Sequence, residues 1–262
     1  LGLLNKIGLD TDSLQCGAQP PGDRITRKLL ENNEEKPSAL HNNCSGKHAG
    51  FLALASFLEA PLHKYLEIGH EVQRRVRACC AQVLELPETG LRTGEDGCSA
   101  PNYACSLYHL ALGYKNLACG LPANPIWHKA IHRLVDCWKE YPHYVAGTGR
   151  YCTEVCEGSN GEVLGKTGAD GVYCMAIPRL GLGIAIKVDD GAMGPQYLVA
   201  QALVDELGLA PLAVLEQYRV RPILNWNKHQ TGVEQVSDSA RRAIRQLPNK
   251  LGPVTSASPV TA

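Results

Sequence analysis

Neither sign of charge is in excess in this chain: 26 Lys and Arg stand against 26 Asp and Glu, for a formal net charge of zero at pH 7. No basic cluster stands out. Arg74-Arg75-Val76-Arg77 and Arg241-Arg242 read as solvated helix faces, so nucleic acid is not an expected partner. No apolar run approaches the ~20 residues that a membrane span needs, so no membrane-spanning helix is expected. No stretch reads as a secretory leader, and no segment repeats another.

What is present in quantity is cysteine. Eleven are scattered along the chain, an odd number, and Cys79-Cys80 are adjacent, which suits no ordinary disulfide framework. A reduced, cytoplasmic protein is the expectation. The pair Cys152 and Cys156 could meet on a helix; core packing is the first reading and a metal site the second. With 262 residues the chain can bury a substantial core. One domain is expected over 1–247, followed by a flexible Pro/Ser/Thr-rich tail over 248–262. The sequence opens at Leu1 in helix-like sequence, so the start of the natural protein is expected upstream.

The densest chemistry lies in His41-Asn42-Asn43-Cys44-Ser45-Gly46-Lys47-His48. Phe51, Leu52, Ala55 and Leu58 then recur at helical spacing, and Pro61 marks a stop. These polar side chains therefore fall on the first turn of a buried helix. Free backbone N–H groups and the positive end of the dipole favour thiolates and anions there. Cys44, Lys47 and His48 share one helix face, since they are three and four residues apart. They could bind a metal or an anionic substrate. Alternatively, Cys44 is a small buried hydrophobe, with Asn43 and Ser45 capping the helix.

The chain otherwise predicts a helix closing at Gly8, a loop through Leu14 to Pro21, and helices over Arg24 to Asn33 and Leu66 to Leu84. Pro87 to Gly90 reads as a turn. Gly94-Glu95-Asp96-Gly97-Cys98-Ser99-Ala100-Pro101 reads as a loop, with a carboxylate two residues before a thiol. Helices are expected over Asn102 to Leu112 and Pro125 to Tyr141, and a glycine-flanked loop at Gly147-Thr148-Gly149-Arg150. Short β-rich runs at Glu162 to Lys166, Gly171 to Ile177 and Leu182 to Val188 predict antiparallel strands. A helix over Pro195 to Leu207 and a strand at Val220 to Leu224 complete the pattern.

Lys166-Thr167-Gly168 is the K-T-G tripeptide found in class A β-lactamases and penicillin-binding proteins beside a Ser-x-x-Lys nucleophile. Here it ends a predicted strand. No Ser-x-x-Lys occurs in the 262 residues.

Taken together, the blocks His41 to Gly50, Asp96 to Pro101, Gly147 to Arg150, Lys166 to Val172 and Leu182 to Gly191 resemble the asparaginase II, or Rhizobium-type (class 3), L-asparaginases. Their order spans the chain to about Val236. The resemblance implies an α/β (α+β) serine-β-lactamase-like or glutaminase-like sandwich, an antiparallel sheet packed by helices. It implies hydrolysis of L-asparagine to aspartate and ammonia. It also implies zinc held by Cys44, Lys47 and Cys98, and Lys166 as the lysine that works with a catalytic serine. Asn43, His48, Asp96 and Arg150 are its implied substrate-binding residues, and a homodimer its expected assembly. Two departures stand out. The N-terminal Ser-x-x-Lys and second catalytic serine have no counterpart, so a truncation or a variant that lost them is expected. Met193-Gly194 stands where a basic residue usually follows the Asp-Gly-Ala run.

Amide hydrolysis needs a nucleophile, a base and a site for the oxyanion. A lysine serves as base only with a lowered pKa, and Lys47 as a ligand must be neutral. Two thiolates and an amine leave a fourth position open. Three readings follow: a serine amidohydrolase, an inactive metal- or amino-acid-binding variant of the same fold, and a penicillin-interacting acyl-serine enzyme. The last explains neither cysteine.

Overall fold

The computed structural model describes residues 1–121, 125–211 and 215–247. The tail expected to be flexible lies outside the described residues. The architecture is α+β, with helices and small antiparallel sheets, and the chain divides into two compact units, Leu1–Cys105 and Ser106–Ala262. Among the described residues no helix is long and apolar enough to cross a membrane.

The first unit contains α1 (Gly2–Lys6), α2 (Arg24–Asn32), α3 (Ser45–Phe57), α4 (Glu71–Val83), β1 (Arg92–Glu95) and β2 (Pro101–Ala104). Its core joins Leu4, Leu14, Leu52, Tyr65, Cys98 and Ala100. The α2 start is capped by the Asp23 carboxylate, which accepts from the Thr26 N–H at 2.7 Å. α4 begins at Glu71 rather than Leu66, because the imidazole of His70 takes the cap position and accepts from the Val72 N–H at 3.2 Å. The segment expected as a loop from Gly94 is a hairpin. β1 pairs antiparallel with β2, from Arg92 opposite Ala104 to Glu95 opposite Pro101. Its turn closes where the Asp96 N–H donates to the Ala100 carbonyl at 2.9 Å and the Ser99 N–H to the Asp96 carbonyl at 2.8 Å. The helix expected from Asn102 starts later for the same reason: β2 uses Pro101–Ala104, and the next helix waits for the Ser106 cap.

The second unit contains α5 (Leu107–Cys119), α6 (Pro125–Glu140), α7 (His143–Ala146), α8 (Tyr151–Gly158), β3 (Leu164–Thr167), β4 (Val172–Ile177), β5 (Leu182–Lys187), α9 (Met193–Glu206), β6 (Val220–Leu224), β7 (Gln230–Gln235) and α10 (Asp238–Arg245). β4 is the middle strand of an antiparallel β3-β4-β5 sheet. It is buried on both faces because its side chains alternate between two helical layers. Tyr173, Met175 and Ile177 pack with α8 and α9, while Ala176 packs with Ile131 and Val135 of α6. Cys152 and Cys156 of α8 are both buried in these cores, and Cys152 Sγ accepts from the Thr167 N–H at 3.2 Å.

β7 carries no signal that the sequence reading used, and of α10 only the Arg241-Arg242 helix face was expected. β7 pairs antiparallel with β6, and α10 is tied by charge: Arg241 lies 3.2 Å from the Glu206 carboxylate, and Arg245 pairs with the same group. Arg241 is thus a half-buried tether and not part of a solvated face, whereas Arg74 and Arg75 are exposed and pair with Glu71 on their own helix. The Arg221 guanidinium lies over Gly194; a Cβ at 194 would fall 1.9 Å from an Arg221 nitrogen, so that flexible, half-exposed side chain would have to swing aside.

Candidate functional site

α3 brings its first turn to the β1–β2 hairpin turn inside the first unit. Cys44 is the residue that precedes the helix, and the helix has no side-chain cap. Neither Asn43 nor Ser45 therefore caps it. Asn42 does the local work instead. Its amide oxygen accepts from the Cys44 N–H at 2.8 Å, and its buried amide nitrogen donates to the carbonyls of Cys16 and Gly17 at 2.8 and 3.2 Å. This pins the 16–17 loop to the start of α3. Asn43 is exposed, and its N–H donates to the Gln19 side chain at 3.3 Å.

The Cys44 and Cys98 sulfurs and a carboxylate oxygen of Asp96 all lie within 4.8 Å of one another. Asp96 Oδ2 is 3.2 Å from Lys47 Nζ and accepts from the Cys98 thiol at 3.5 Å, while Oδ1 accepts from the Gly97 N–H at 2.8 Å. The hairpin turn thus presents Asp96 and Cys98, and the helix presents Cys44 and Lys47. Cys98 is 3% exposed and Cys44 partly buried, but the Lys47 and Asp96 side chains are 37% and 40% exposed. An ion pair that open contributes ~0–1 kcal/mol, so it orients the groups more than it stabilises the fold.

The electrostatics follow from this packing. Burial pushes the Cys44 thiol up; Lys47 opposes the shift, and Cys98 and Asp96 add to it. Burial pulls Lys47 down, but Cys98 and Asp96 outweigh it and leave the ammonium favoured. Burial pushes Asp96 up, but Lys47 and the Gly97 N–H outweigh it and hold the carboxyl below its ordinary value. The cluster is therefore a charge-compensated set in which a bound cation would replace protons on the thiols and on Lys47.

His48 is fully buried. Its Nδ1 pairs with Tyr65 Oη at 2.7 Å, and that oxygen accepts from the Gln15 N–H at 2.8 Å. Burial first, then Lys47, pulls the imidazole down to about 4, so it is neutral near pH 7. Tyr65 and Asn42 are the residues that the sequence reading missed. Asn42 stands inside the His41–His48 stretch, while Tyr65 carries no motif at all.

In the second unit, Lys166 lies on antiparallel β3, is exposed, and donates to the Thr167 carbonyl at 2.8 Å. Thr167 Oγ1 pairs with Tyr197 Oη at 2.9 Å and with Cys152 Sγ at 3.3 Å. Arg150 is exposed and precedes α8, its carbonyl accepting from Thr153 and Glu154.

The donor set suits a borderline-soft metal. Two thiols and a carboxylate are zinc ligands by type, and tetrahedral coordination at ~2.3 Å per sulfur is reachable from sulfurs already this close. Asp96 joins Cys44 and Cys98 in this grouping, and Lys47 stands beside it through Asp96. No curated protein matches the chain. The sequence pattern of the family described as L-asparaginase II matches residues 1–236, nearly the whole of the described chain, and on that match this protein belongs to the L-asparaginase II family.

Proposed function

We propose that this chain serves the hydrolysis of the side-chain amide of L-asparagine to L-aspartate and ammonia, on a serine-β-lactamase-like sandwich. The observation that supports this most is the Cys44–Asp96–Cys98 cluster with Lys47 at its edge, in a chain of the L-asparaginase II family. Cys44, Cys98 and Lys47 would hold zinc, with Asp96 orienting Lys47 or taking its place. The ion would supply a Lewis acid for a carbonyl oxygen. Asn43 offers an exposed amide to the substrate, and Asp96 a carboxylate to its ammonium group. His48 is assigned to fixing the α3 start from the core side, because it is buried against Tyr65. Lys166 is assigned the base. Arg150 is assigned the substrate's α-carboxylate, which a guanidinium binds in a bidentate fashion. A homodimer is the proposed assembly.

The missing Ser-x-x-Lys supports a second reading for these 262 residues: a variant that binds zinc and the amino acid without turnover. One experiment separates the two. The zinc-loaded protein is given L-asparagine, L-glutamine or a β-lactam, with binding read by calorimetry and ammonia by a coupled assay. The amidohydrolase reading expects ammonia release that Lys166→Ala removes, held to the residual rate of a chain without a Ser-x-x-Lys. The binding reading expects heat of binding and no ammonia. Neither binding nor release would reject both, and a covalent β-lactam adduct would support the penicillin-interacting alternative.

A further inference from the structure

The second unit carries a histidine pair that the asparagine chemistry does not use. His128 and His132 are four residues apart on α6 and so share a face. Their rings meet edge to face, with centroids 4.2 Å apart. They lie against the C-terminal end of α5, where Gly120 takes φ +75 and closes the helix. The His128 Nδ1–H donates to the Gly120 carbonyl at 2.9 Å. A Cβ built on Gly120 would lie 2.7 Å from His132 Nε2 and 2.8 Å from His128 Nδ1. Two ring nitrogens and a carbonyl oxygen thus gather round one glycine, in space that any other residue's side chain would fill. Capping of α5 accounts for His128 alone. It gives no reason for His132, an exposed residue, to turn Nε2 onto the same point.

We propose that His128 Nδ1 and His132 Nε2 chelate a divalent transition-metal ion, with the Gly120 carbonyl oxygen as a third donor. Imidazole pairs at this helical spacing are a known zinc-chelating geometry, and imidazole suits Zn²⁺, Cu²⁺ and Ni²⁺ alike. The nitrogens must approach the ion to ~2.0–2.1 Å, which ring rotation supplies. Coordination through Nδ1 needs the tautomer with its proton on Nε2, so the Nδ1–H bond to the Gly120 carbonyl gives way when the ion binds. The donors are nitrogen and oxygen only, which separates this site from the thiol cluster.

Zinc chloride is titrated by calorimetry into the protein carrying Cys44→Ser and Cys98→Ser, and into the same protein with His132→Ala added. Losing even the partner of a metal ligand costs ~10–100-fold in affinity, so losing a ligand should cost at least ~10-fold. The expected result is one equivalent of zinc in the first protein and at least that loss in the second, with Cu²⁺ bound more tightly than Zn²⁺. Imidazole ¹⁵N spectra of the unsubstituted protein give a readout that does not depend on the serine variants folding: His128 and His132 should shift on zinc addition. Affinity unchanged by His132→Ala, or zinc addition that leaves both resonances unmoved, would overturn the proposal.

Discussion

Replacing Tyr65 with Phe removes one oxygen and keeps the ring. That oxygen accepts from the Gln15 N–H at 2.8 Å and pairs with His48 Nδ1 at 2.7 Å. Gln15 is exposed, so water recovers part of its loss. His48 cannot be reached in the same way: it is fully buried, and its Nε2 already has no hydrogen-bond partner. A buried polar group left unsatisfied costs ~1–3 kcal/mol, and the Gln15 bond adds a fraction of a typical ~1 kcal/mol. The expected destabilisation is about 2 kcal/mol, a visible part of a typical ~5–15 kcal/mol. Urea unfolding should show a lower midpoint with an unchanged slope. Adding His48→Leu removes the nitrogen that loses its partner, so Tyr65→Phe should cost at least ~1 kcal/mol less in that background. A Tyr65→Phe cost under ~0.5 kcal/mol, typical of an uninvolved surface site, would refute the reasoning.

Three other outcomes follow from the same structure. Gly165→Ala places a Cβ 1.9 Å from Tyr173 Oη, in the packed core; it should cost ~1–3 kcal/mol in thermal or urea unfolding, and Tyr173→Phe should recover much of that. Arg245 holds the Glu206 carboxyl below its ordinary 4.5; burial opposes the shift, and Arg241 adds to it. The stability this gives is fully present above pH ~4.5 and is lost as pH falls through the folded value, because the unfolded state then binds the proton first. Glu206→Gln should therefore flatten the acid side of the stability curve, and an unchanged slope would count against the pairing. Finally, the 262 residues contain no Ser-x-x-Lys, so ammonia release from L-asparagine should not exceed the ~10³–10⁴-fold residual over water that binding and oxyanion contacts give. Robust turnover lost in Ser45→Ala would place the nucleophile at the start of α3, and robust turnover that survives it would remove serine from the mechanism.

The legible parts of the fold were those written in local periodicity. The three strands of the β3-β4-β5 sheet and helices α2, α6 and α9 fell close to their expected places, because alternation and glycine turns are local signals. The β1–β2 hairpin was not legible: its strands are four residues each, and Gly94, Gly97 and Pro101 mask them. β7 was missed because it is largely polar and exposed; of α10 the Arg241-Arg242 helix face was read but taken as solvated, because its ion pairs to Glu206 are a long-range feature with no sequence spacing. At the site, Cys44 and Lys47 were legible through helical spacing. Cys98 was legible as a second soft ligand to set beside Cys44, and the family resemblance grouped it with Lys47. The resemblance also put Asp96 near the site; its contacts with Lys47 and Cys98, and Tyr65 behind His48, needed the tertiary structure.

The zinc environment tests the central claim most directly. The His132→Ala protein, which leaves the thiol cluster intact, is loaded with one equivalent of zinc and measured by X-ray absorption at the zinc edge. The account predicts two sulfur neighbours at ~2.3 Å with nitrogen or oxygen completing the shell, and one sulfur after Cys98→Ser. A shell of nitrogen and oxygen alone, or two sulfurs that survive Cys98→Ser, would contradict it.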